Sequence, residues 1–490
     1  MSRAENLHVG RSFVVRRCYG VVPLPTHDSW CSEIGARIRE TPGLDGSTAT
    51  TLRASPVPWH LGHGAETPTA GEGWVSSSSR AIYALFVKHV RLLGAIVVVA
   101  AMSVTANTAS SGAAAKPLGW TRVDLGSNQA AVAAVAHTSD MWWAAGSVID
   151  ETGEHRPSLW QSVDARIWKR VPTEASTGYG TVSILYALAA SARGVVALGS
   201  ATGGAHGNPR TVSWLLGSDG TLREIRAAFE LYNGPRQLTV RNVIDTPTAW
   251  VIFGSRVVRN GTLGAALWTS ASGDDFTLHD DDNALASGLR EQVSGYDVAF
   301  DGRNLVAVGE RIDLSPGAGA ETDGIRWTSP DGLAWQRTPV AGLDFAGIGA
   351  QRPLRITIAG ARQLIAGTEI RGRATRVLAW SSTNARSWTR KVVSVLKAGT
   401  ADSDTVVGAA IVGSSFVVTA RLDEHLVAAS SDDGRVWTRL ALPSDMPIGP
   451  RAVATIAGDE NIVVAGAADI QGQGNVGGLW VANPTPTPRR

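Results

Sequence analysis

The chain has 490 residues, with 45 Lys or Arg against 43 Asp or Glu, and its formal net charge is +2. Because so even a balance gives no large electrostatic attraction to polyanions, we expect neither nucleic acid nor an anionic membrane surface as a partner. Both cysteines, Cys18 and Cys31, lie near the N-terminus. The rest of the chain therefore has no thiol that would form a disulfide or carry a lipid anchor.

The N-terminal part has the order of residues that is typical of a secretory leader. Lys88, His89 and Arg91 precede an apolar run at 92–104, and small residues follow this run. Since the run is short for a membrane span, we predict a signal peptide over residues 87–115. The mature protein is then expected to be secreted or to lie in the cell envelope.

Residues 1–86 precede this leader and show no usable periodicity. We predict that they are not part of the mature protein and that translation starts at Val87. The alternative is that they form a cytoplasmic tail and that the apolar run is an uncleaved anchor. Only five Lys occur among the basic residues, and Ala, Gly and Val are abundant, which favours a bacterium with a GC-rich genome.

Between Trp120 and Trp480 one pattern recurs seven times, about every 50 residues. Each copy has an apolar strand, a second strand ending in Gly, a third strand carrying Trp, and a turn followed by another Trp. This period predicts an all-β fold, a closed seven-bladed β-propeller of four-stranded blades at 116–484, with a short tail at 485–490. The third-strand anchors are Trp160, Trp214, Trp268, Trp327, Trp380, Ala429 and Trp480.

The fourth copy predicts its four strands most clearly. The inner strands of all copies are small and apolar, which suits strands that crowd around a central axis. In the fourth copy we predict strands at 296–300, 304–309, 325–329 and 335–338.

The two ends of the repeat region predict how the ring closes. The last copy stops after its Trp strand, and an isolated segment at 119–123 matches the fourth strand of the sixth copy, 436–440. The N-terminal segment would therefore supply the outer strand of the seventh blade and remove an exposed edge.

The turn between the third and fourth strands carries the sharpest motif, SPDGLAW at 329–335 and SDDGRVW at 431–437. The Asp carboxylate can accept backbone N–H groups, Gly permits a positive φ, and the Trp ring packs between sheets. We therefore expect these residues to be structural. Over four copies they are Ser162, Asp164, Trp168, Ser329, Asp331, Gly332, Trp335, Ser382, Asn384, Trp388, Ser431, Asp433, Gly434 and Trp437.

This motif resembles the Asp-box, or BNR, repeat of the sialidase-like β-propellers, and the resemblance covers the predicted propeller. In that family the box is a folding device on the face opposite to the usual ligand site. Ligands of propellers bind where loops join the second strand to the third and one blade to the next. Those second-to-third loops are long and unlike one another here, which suits recognition: 149–157, 201–210, 256–264, 311–324 and 467–478.

The resemblance implies what a sialidase would need: three convergent Arg, a Tyr paired with a Glu as nucleophile, and an Asp as acid. The Arg-Ile-Pro signature of the family is missing. The nearest approximations are Arg352-Pro353 and Arg355-Ile356, and the Tyr candidates are Tyr179, Tyr186, Tyr232 and Tyr296.

We therefore expect an exported, monomeric binding or scaffold module, whose ligand is a glycan or an envelope protein, rather than an enzyme. One alternative is a glycoside hydrolase, a sialidase-like exo-glycosidase, which a convergent Arg or carboxylate cluster on the loop-rich face would favour. The other is an assembly factor for a membrane complex, which a single basic patch would favour. Exposed aromatic side chains there would favour glycan binding.

No cofactor is expected from the sequence. Asp280 and Asp282, in the acidic run at 280–283, are the candidates for a calcium site, and the alternative is a solvated connection between blades. The ten His show no metal-ligand spacing.

Overall fold

The computed structural model describes residues 118–203, 209–319, 321–337, 343–469 and 477–483. The predicted leader, the segment upstream of it and the C-terminal tail lie outside these ranges. Among the described residues, no helix is long and apolar enough to cross a membrane.

Seven mainly antiparallel β-sheets surround one axis. Five of them follow chain order from the inside outward, and the other two have an earlier strand of the chain at their outer edge. The first strands of successive sheets contact one another in a closed circle, so each sheet is a blade of a seven-bladed β-propeller. This confirms the predicted fold class.

The chain enters through β1 (Thr121–Arg122), which belongs to the last blade. Blade one consists of β2 (Ala130–His137), β3 (Trp142–Ile149), β4 (His155–Ser162) and β5 (Lys169–Arg170). Blade two consists of β7 (Ile184–Ser191), β8 (Gly194–Thr202), β9 (Pro209–Leu216) and β10 (Leu222–Glu224), and β6 (Thr173–Glu174) pairs in parallel with β10. The helix α1 (Gly178–Thr181) precedes blade two, and α2 (Phe229–Tyr232) follows it.

The next four-stranded blades repeat this plan. Blade three consists of β11 (Gln237–Asp245), β12 (Trp250–Val257), β13 (Leu263–Ser270) and β14 (Thr277–His279). Blade four consists of β15 (Glu291–Phe300), β16 (Leu305–Asp313), β17 (Thr322–Ser329) and β18 (Gln336–Arg337). Blade five consists of β19 (Ala350–Ala359), β20 (Arg362–Arg371), β21 (Ala374–Ser382) and β22 (Thr389–Val392). Blade six consists of β23 (Thr405–Val412), β24 (Ser415–Leu422), β25 (His425–Ser431) and β26 (Thr438–Leu440).

Blade seven consists of β27 (Ala452–Gly458), β28 (Val463–Asp469), β29 (Gly477–Ala482) and β1. Thr121 pairs with Val481, so the N-terminal strand closes the ring as predicted. The indole N–H of Trp120 donates to the carbonyl of Ala441 at 2.7 Å and ties this strand to the end of blade six.

The first three strands of blade four extend further toward one end of the blade than the sequence predicts, and the fourth lies within its predicted bounds. β15 starts at Glu291 rather than at Tyr296, and β16 continues to Asp313 rather than ending at Gly309. The extensions carry charged and polar side chains, so a reading based on apolar runs misses them. For the same reason the loops between second and third strands are shorter than expected, as between Ile149 and His155 in blade one.

A β-bulge interrupts the inner strand of six blades at equivalent positions and explains the recurrent Gly of the second strand. Gly254 and Gly309 lie opposite the residue that precedes the bulge. A Cβ atom at Gly254 would lie 2.1 Å from the carbonyl oxygen of Thr239, and one at Gly309 would lie 2.0 Å from that of Ser294. The close approach of the two backbones therefore excludes a side chain.

The hydrophobic core consists of layers between neighbouring blades. One layer joins Phe253 and Leu267 of blade three to Val298, Leu305 and Trp327 of blade four. The seven third-strand anchors predicted from the sequence are all buried, at 2 % exposure or less. The described strands between residues 118 and 483 form a closed ring of blades, and the core layers lie between neighbouring blades of this ring.

Antiparallel order divides the connections between two faces. The turns that join strand one to two and strand three to four lie on one face, which we call the turn face. The connections that join strand two to three and one blade to the next lie on the opposite face, which we call the loop face.

Substitution of Trp120 by Ala is expected to lower the free energy of unfolding by about 2–3 kcal/mol, because the half-buried ring packs against blade seven and its N–H bond is lost. Thr121→Ala is the matched control, since Thr121 is exposed and contributes backbone pairing. Deletion of residues 116–125 should lower the melting temperature further. Calorimetric melting of the 116–490 chain measures all three, and equal melting of the two point variants would contradict the closure.

Candidate functional site

The predicted Asp-box residues lie on the turn face, in the turns between third and fourth strands. Asp331 Oδ1 accepts the backbone N–H groups of Leu333 at 2.8 Å and Ala334 at 3.0 Å, and the hydroxyl of Ser329 at 3.0 Å. These bonds lower the pKa of Asp331. The same bonds recur at the boxes of Asp164 and Asp433, whose pKa values are also lowered: Ser162, Arg166 and Ile167 bond Asp164, and Ser431, Arg435 and Val436 bond Asp433.

The box of blade five makes these contacts without a carboxylate. The amide oxygen of Asn384 accepts the N–H of Arg386 at 2.9 Å and that of Ser387 at 2.8 Å, and the side chain contacts the Ser382 hydroxyl at 3.2 Å. Ala385 follows Asn384 with φ 58°, where strict boxes carry Gly. The turn therefore keeps a residue with positive φ at this position, although this backbone conformation costs a residue other than Gly about 1 kcal/mol.

The Trp that follows each box packs against the preceding blade. Trp335, Trp437 and Trp168 are each at most 8 % exposed and donate their indole N–H to a carbonyl three residues earlier. The glycines of the two strict boxes have positive φ, and a Cβ at Gly434 would clash with Ser381 of blade five. In blade five, Trp388 packs against the Trp380 cluster. These are the contacts of a folding device, and their contribution to stability stays a prediction.

A cavity of about 530 Å³ lies on the propeller axis and is lined by the inner strands of all seven blades. Its lining is largely Ala, Val, Ile and Thr, as the small apolar inner strands predict. Six side chains are polar exceptions. Tyr186 comes from blade two, and Asp245, at the end of β11, pairs with Arg193. The other four come from the inner strands of blades three to five near their bulges, and they are Arg241, Asn242, Asp297 and Arg355.

Arg241 is the extra residue of the β-bulge in β11, and its guanidinium lies next to blade four. Its Cζ lies 5.5 Å from the centroid of the Tyr296 ring, which occupies the bulge of β15. Its Nε is buried and has no hydrogen-bond partner within the described ranges. Burial lowers the pKa of Arg241 to about 10, so the side chain is a cation at neutral pH.

Asp297 joins three inner strands. Its Oδ1 accepts Asn242 Nδ2 at 2.7 Å and the N–H of Val298 at 2.9 Å, and its Oδ2 accepts the N–H of Ile356 at 2.9 Å. Burial raises the pKa of Asp297, although the neighbouring Arg355 opposes this shift. Both carboxylate oxygens of Asp297 are therefore already bonded, to the Asn242 amide and to backbone N–H groups of β15 and β19.

Arg355 bonds backbone oxygens rather than a carboxylate. Its Nε donates to the carbonyl of Val407 at 3.3 Å and its Nη1 to that of Leu354 at 3.0 Å. Burial lowers the pKa of Arg355, and the charge of Arg355 in turn lowers that of Arg241. Near the bulges these two guanidiniums exceed the one carboxylate of Asp297 by one positive charge, whereas Asp245, the other carboxylate that lines the channel, pairs with Arg193.

Tyr296, Glu310 and Arg352 form a layer behind Arg241. Arg352 Nε lies 3.0 Å from Glu310 Oε2, and the three residues are at most 7 % exposed. Burial, together with the charge of Glu310, raises the pKa of Tyr296. The sequence candidates Arg352 and Tyr296 thus come together beside a Glu, but they do not line the cavity.

The other three Tyr candidates lie apart. Tyr186 lines the channel and donates its hydroxyl to the carbonyl of Val240 at 2.8 Å, and Tyr232 is buried beside Trp268. Tyr179 is 36 % exposed on the loop face. There it flanks Arg210 from one side while Phe229, 44 % exposed, flanks it from the other, with Cζ to ring distances of 5.9 and 5.1 Å.

The two candidates for calcium binding are engaged elsewhere. Asp280 is 6 % exposed and pairs with Arg256 at 3.4 Å and Arg259 at 3.7 Å. Asp282 accepts the N–H of Ala284 and that of Trp335, both at 2.7 Å. Within the described part of the chain, no three His, Cys, Asp or Glu form a group that would hold a metal ion.

Sequence reasoning missed Arg241, Asn242, Asp297 and Glu310. A signal was present, because charged residues at Arg241, Asp297 and Arg355 interrupt inner strands that are otherwise small and apolar. Their convergence needed the register of three different blades, which the sequence does not state.

No protein-family model and no curated protein sequence matches the chain. Among solved structures, an α-L-arabinofuranosidase from Fusarium graminearum shares 12% identity with a TM-score of 0.38, over 59% of this chain and 89% of the enzyme. The β-propeller domain of the Trilobed protease from Pyrococcus furiosus shares 9% with a TM-score of 0.43, over 73% of this chain and 96% of that domain. A mutant sialidase of Trypanosoma rangeli shares 10% with a TM-score of 0.38, over 76% of this chain but only 60% of its own. Similarity this low carries no argument about function.

Replacement of Asp331 by Ala is expected to lower the free energy of unfolding by about 1 kcal/mol, since two backbone N–H groups lose their acceptor. Asp331→Asn should cost less, because Asn384 serves the same turn in blade five. Urea unfolding measures both, with the exposed Glu151→Gln as control.

The pH dependence of stability gives a second readout of the same carboxylate. The lowered pKa of Asp331 means that its stabilisation is present above about pH 4 and is lost as the pH falls through the folded-state pKa. Asp331→Asn should therefore lose less stability than the wild type between pH 4 and pH 2. Identical acid profiles would contradict the bonding role of the carboxylate.

Proposed function

We propose that the propeller is an exported binding module that holds a carboxylate-bearing sugar in its central channel. The observation that carries the proposal is Arg241, a half-buried cation whose buried Nε has no hydrogen-bond partner in the described part of the chain and whose guanidinium lies over the Tyr296 ring beside the cavity. A planar guanidinium is suited to bidentate bonding of a carboxylate.

The rest of the channel supports such a ligand. Its volume of about 530 Å³ falls within the range of small-molecule sites, and a mainly apolar lining with few polar groups is typical of them. The excess positive charge from Arg241 and Arg355 favours an anion. The bonds of Arg355 to two carbonyls hold this second guanidinium in place, so little ordering is needed on binding.

A sugar is proposed as the carrier of the carboxylate because one aromatic side chain lines the channel and two more are exposed on the loop face. Tyr186 lies in the channel wall, and the exposed Tyr179 and Phe229 lie on the loop face of the adjoining connections. Aromatic rings offer apolar faces with a polar edge, which suits the mixed surface of a sugar ring.

The second candidate is a glycoside hydrolase, and the observation that favours it is the contact of Tyr296 with Glu310 beside Arg352. Hydrolysis needs two carboxylates that reach the sugar from the solvent-accessible site. Here Glu310 is buried behind Arg241, and Asp297 is bonded through both oxygens. The burial of these groups supports binding without turnover, so hydrolysis remains the second candidate.

In calorimetric titrations of the 116–490 chain, glucuronate and N-acetylneuraminate are expected to bind, and glucose is not. Arg241→Gln should weaken binding by about 10- to 100-fold, the value of a hydrogen bond to a charged group. Because the pKa of Arg241 is about 10, binding should persist from pH 6 to 9 and weaken above that range.

Arg362→Gln is the matched control, since Arg362 also stacks on an aromatic ring, Phe416, but at the start of β20 near the turn face. It should leave the affinity unchanged. Equal loss in both variants, or equal binding of glucose, would overturn the proposal. Release of a fluorophore from a panel of aryl glycosides, abolished by Glu310→Gln, would establish the hydrolase instead.

A further inference from the structure

Positive charge is concentrated in blade five, although the whole chain is nearly balanced at +2. Between Ala350 and Val392 the blade has nine basic side chains and one acidic side chain, Glu369. The basic residues are Arg352, Arg355, Arg362, Arg371, Arg373, Arg376, Arg386, Arg390 and Lys391.

Most of this charge meets at the outer corner of the blade on the loop face. The buried carboxylate of Glu369 gathers three guanidiniums: Arg371 at 2.8 Å, Arg390 at 3.3 Å and Arg376 at 3.6 Å. The side chains of Arg371 and Arg376 are 39% and 43% exposed. One negative charge therefore positions three positive ones at an accessible surface.

Three further cations extend this corner. A second carboxylate, that of Asp404, borders it, because this side chain lies against Gly399, which pairs with Thr375 of β21. Arg373 lies in the turn between β20 and β21, Lys391 is on β22, and Lys397 follows β22. All three are exposed, and none of them forms an ion pair within the described ranges. We call Arg371, Arg373, Arg376, Arg390, Lys391 and Lys397 the basic corner.

An apolar side chain stands beside the basic corner. Ile348 is 75 % exposed, and its carbonyl accepts Arg371 Nε at 3.0 Å. The next residue, Gly349, has φ 87°, and a Cβ there would lie 2.3 Å from the carbonyl oxygen of Ile370. This turn is thus fixed against β20 and presents Ile348 to solvent.

We propose that the basic corner and Ile348 dock the propeller on an anionic phospholipid surface. Lipid phosphates would bind the guanidinium and ammonium groups, and Ile348 would enter the boundary between headgroups and acyl chains. A soluble polyanion would also neutralise the charge, but it offers nothing to an exposed Ile. The apolar tip beside the cations therefore favours a membrane, and this inference does not depend on the ligand of the channel.

The test is co-sedimentation of the 116–490 chain with vesicles. Vesicles of 70% phosphatidylcholine and 30% phosphatidylglycerol should bind it, and binding should fall steeply between 50 and 500 mM salt. Vesicles of phosphatidylcholine alone should bind it at least about tenfold more weakly. The triple variant Arg373→Glu, Lys391→Glu and Lys397→Glu should lose at least about tenfold in affinity, and Ile348→Ser should weaken binding at every salt concentration.

A control triple variant changes the net charge equally on the turn face: Arg303→Glu, Arg386→Glu and Arg435→Glu. It should bind anionic vesicles like the wild type, and thermal melting checks that every variant is folded. Equal loss in both triple variants, equal binding to both kinds of vesicle, or no binding at all would overturn the proposal. Binding to polyphosphate but not to anionic vesicles would assign the corner to a soluble polyanion instead.

Discussion

The packing of Trp rings between neighbouring blades is the interaction on which the propeller depends, and each of the seven core layers holds at least one. Burial of such a ring contributes on the order of 5 kcal/mol, and its N–H must find an acceptor. Trp268, Trp327 and Trp380 donate to carbonyls of the connection that leads into their own blade, at 2.7–2.8 Å. In these three blades the same Trp thus both packs between blades and holds the entry of the chain into the blade.

The channel follows from a second recurrent constraint. Six inner strands carry bulges, most second strands carry Gly opposite them, and the bulge of β11 places Arg241 in the channel with its guanidinium over the Tyr296 ring. Inner strands also have one free edge, and Asp297 satisfies part of it by accepting the N–H of Ile356. The polar groups of the channel therefore both connect neighbouring blades and place two guanidiniums beside one carboxylate, the arrangement on which the proposed anion site rests.

Charge is distributed by blade rather than evenly over the surface. Two arginines of blade four are paired with carboxylates, Arg311 with Asp323 and Arg337 with Glu291. Blade five has one carboxylate among nine basic side chains. The net charge of +2 therefore does not describe the local electrostatic potential, because it sums over blades whose charges differ.

The sequence by itself determined the number of blades, the order of their strands, the closing segment and the turns of the Asp boxes. These features rest on two local rules, the period of the repeat and the chemistry of turn residues. Each copy of the repeat follows both. Tertiary structure decided the rest. One set of residues comes from three consecutive blades and meets only when these blades pack together: Arg241, Asp297, Glu310 and Arg352. The cations of the basic corner meet around Glu369 only when the strands of blade five pair. Contacts between residues of different repeats depend on strand register and on the position of each β-bulge. No local sequence pattern encodes either.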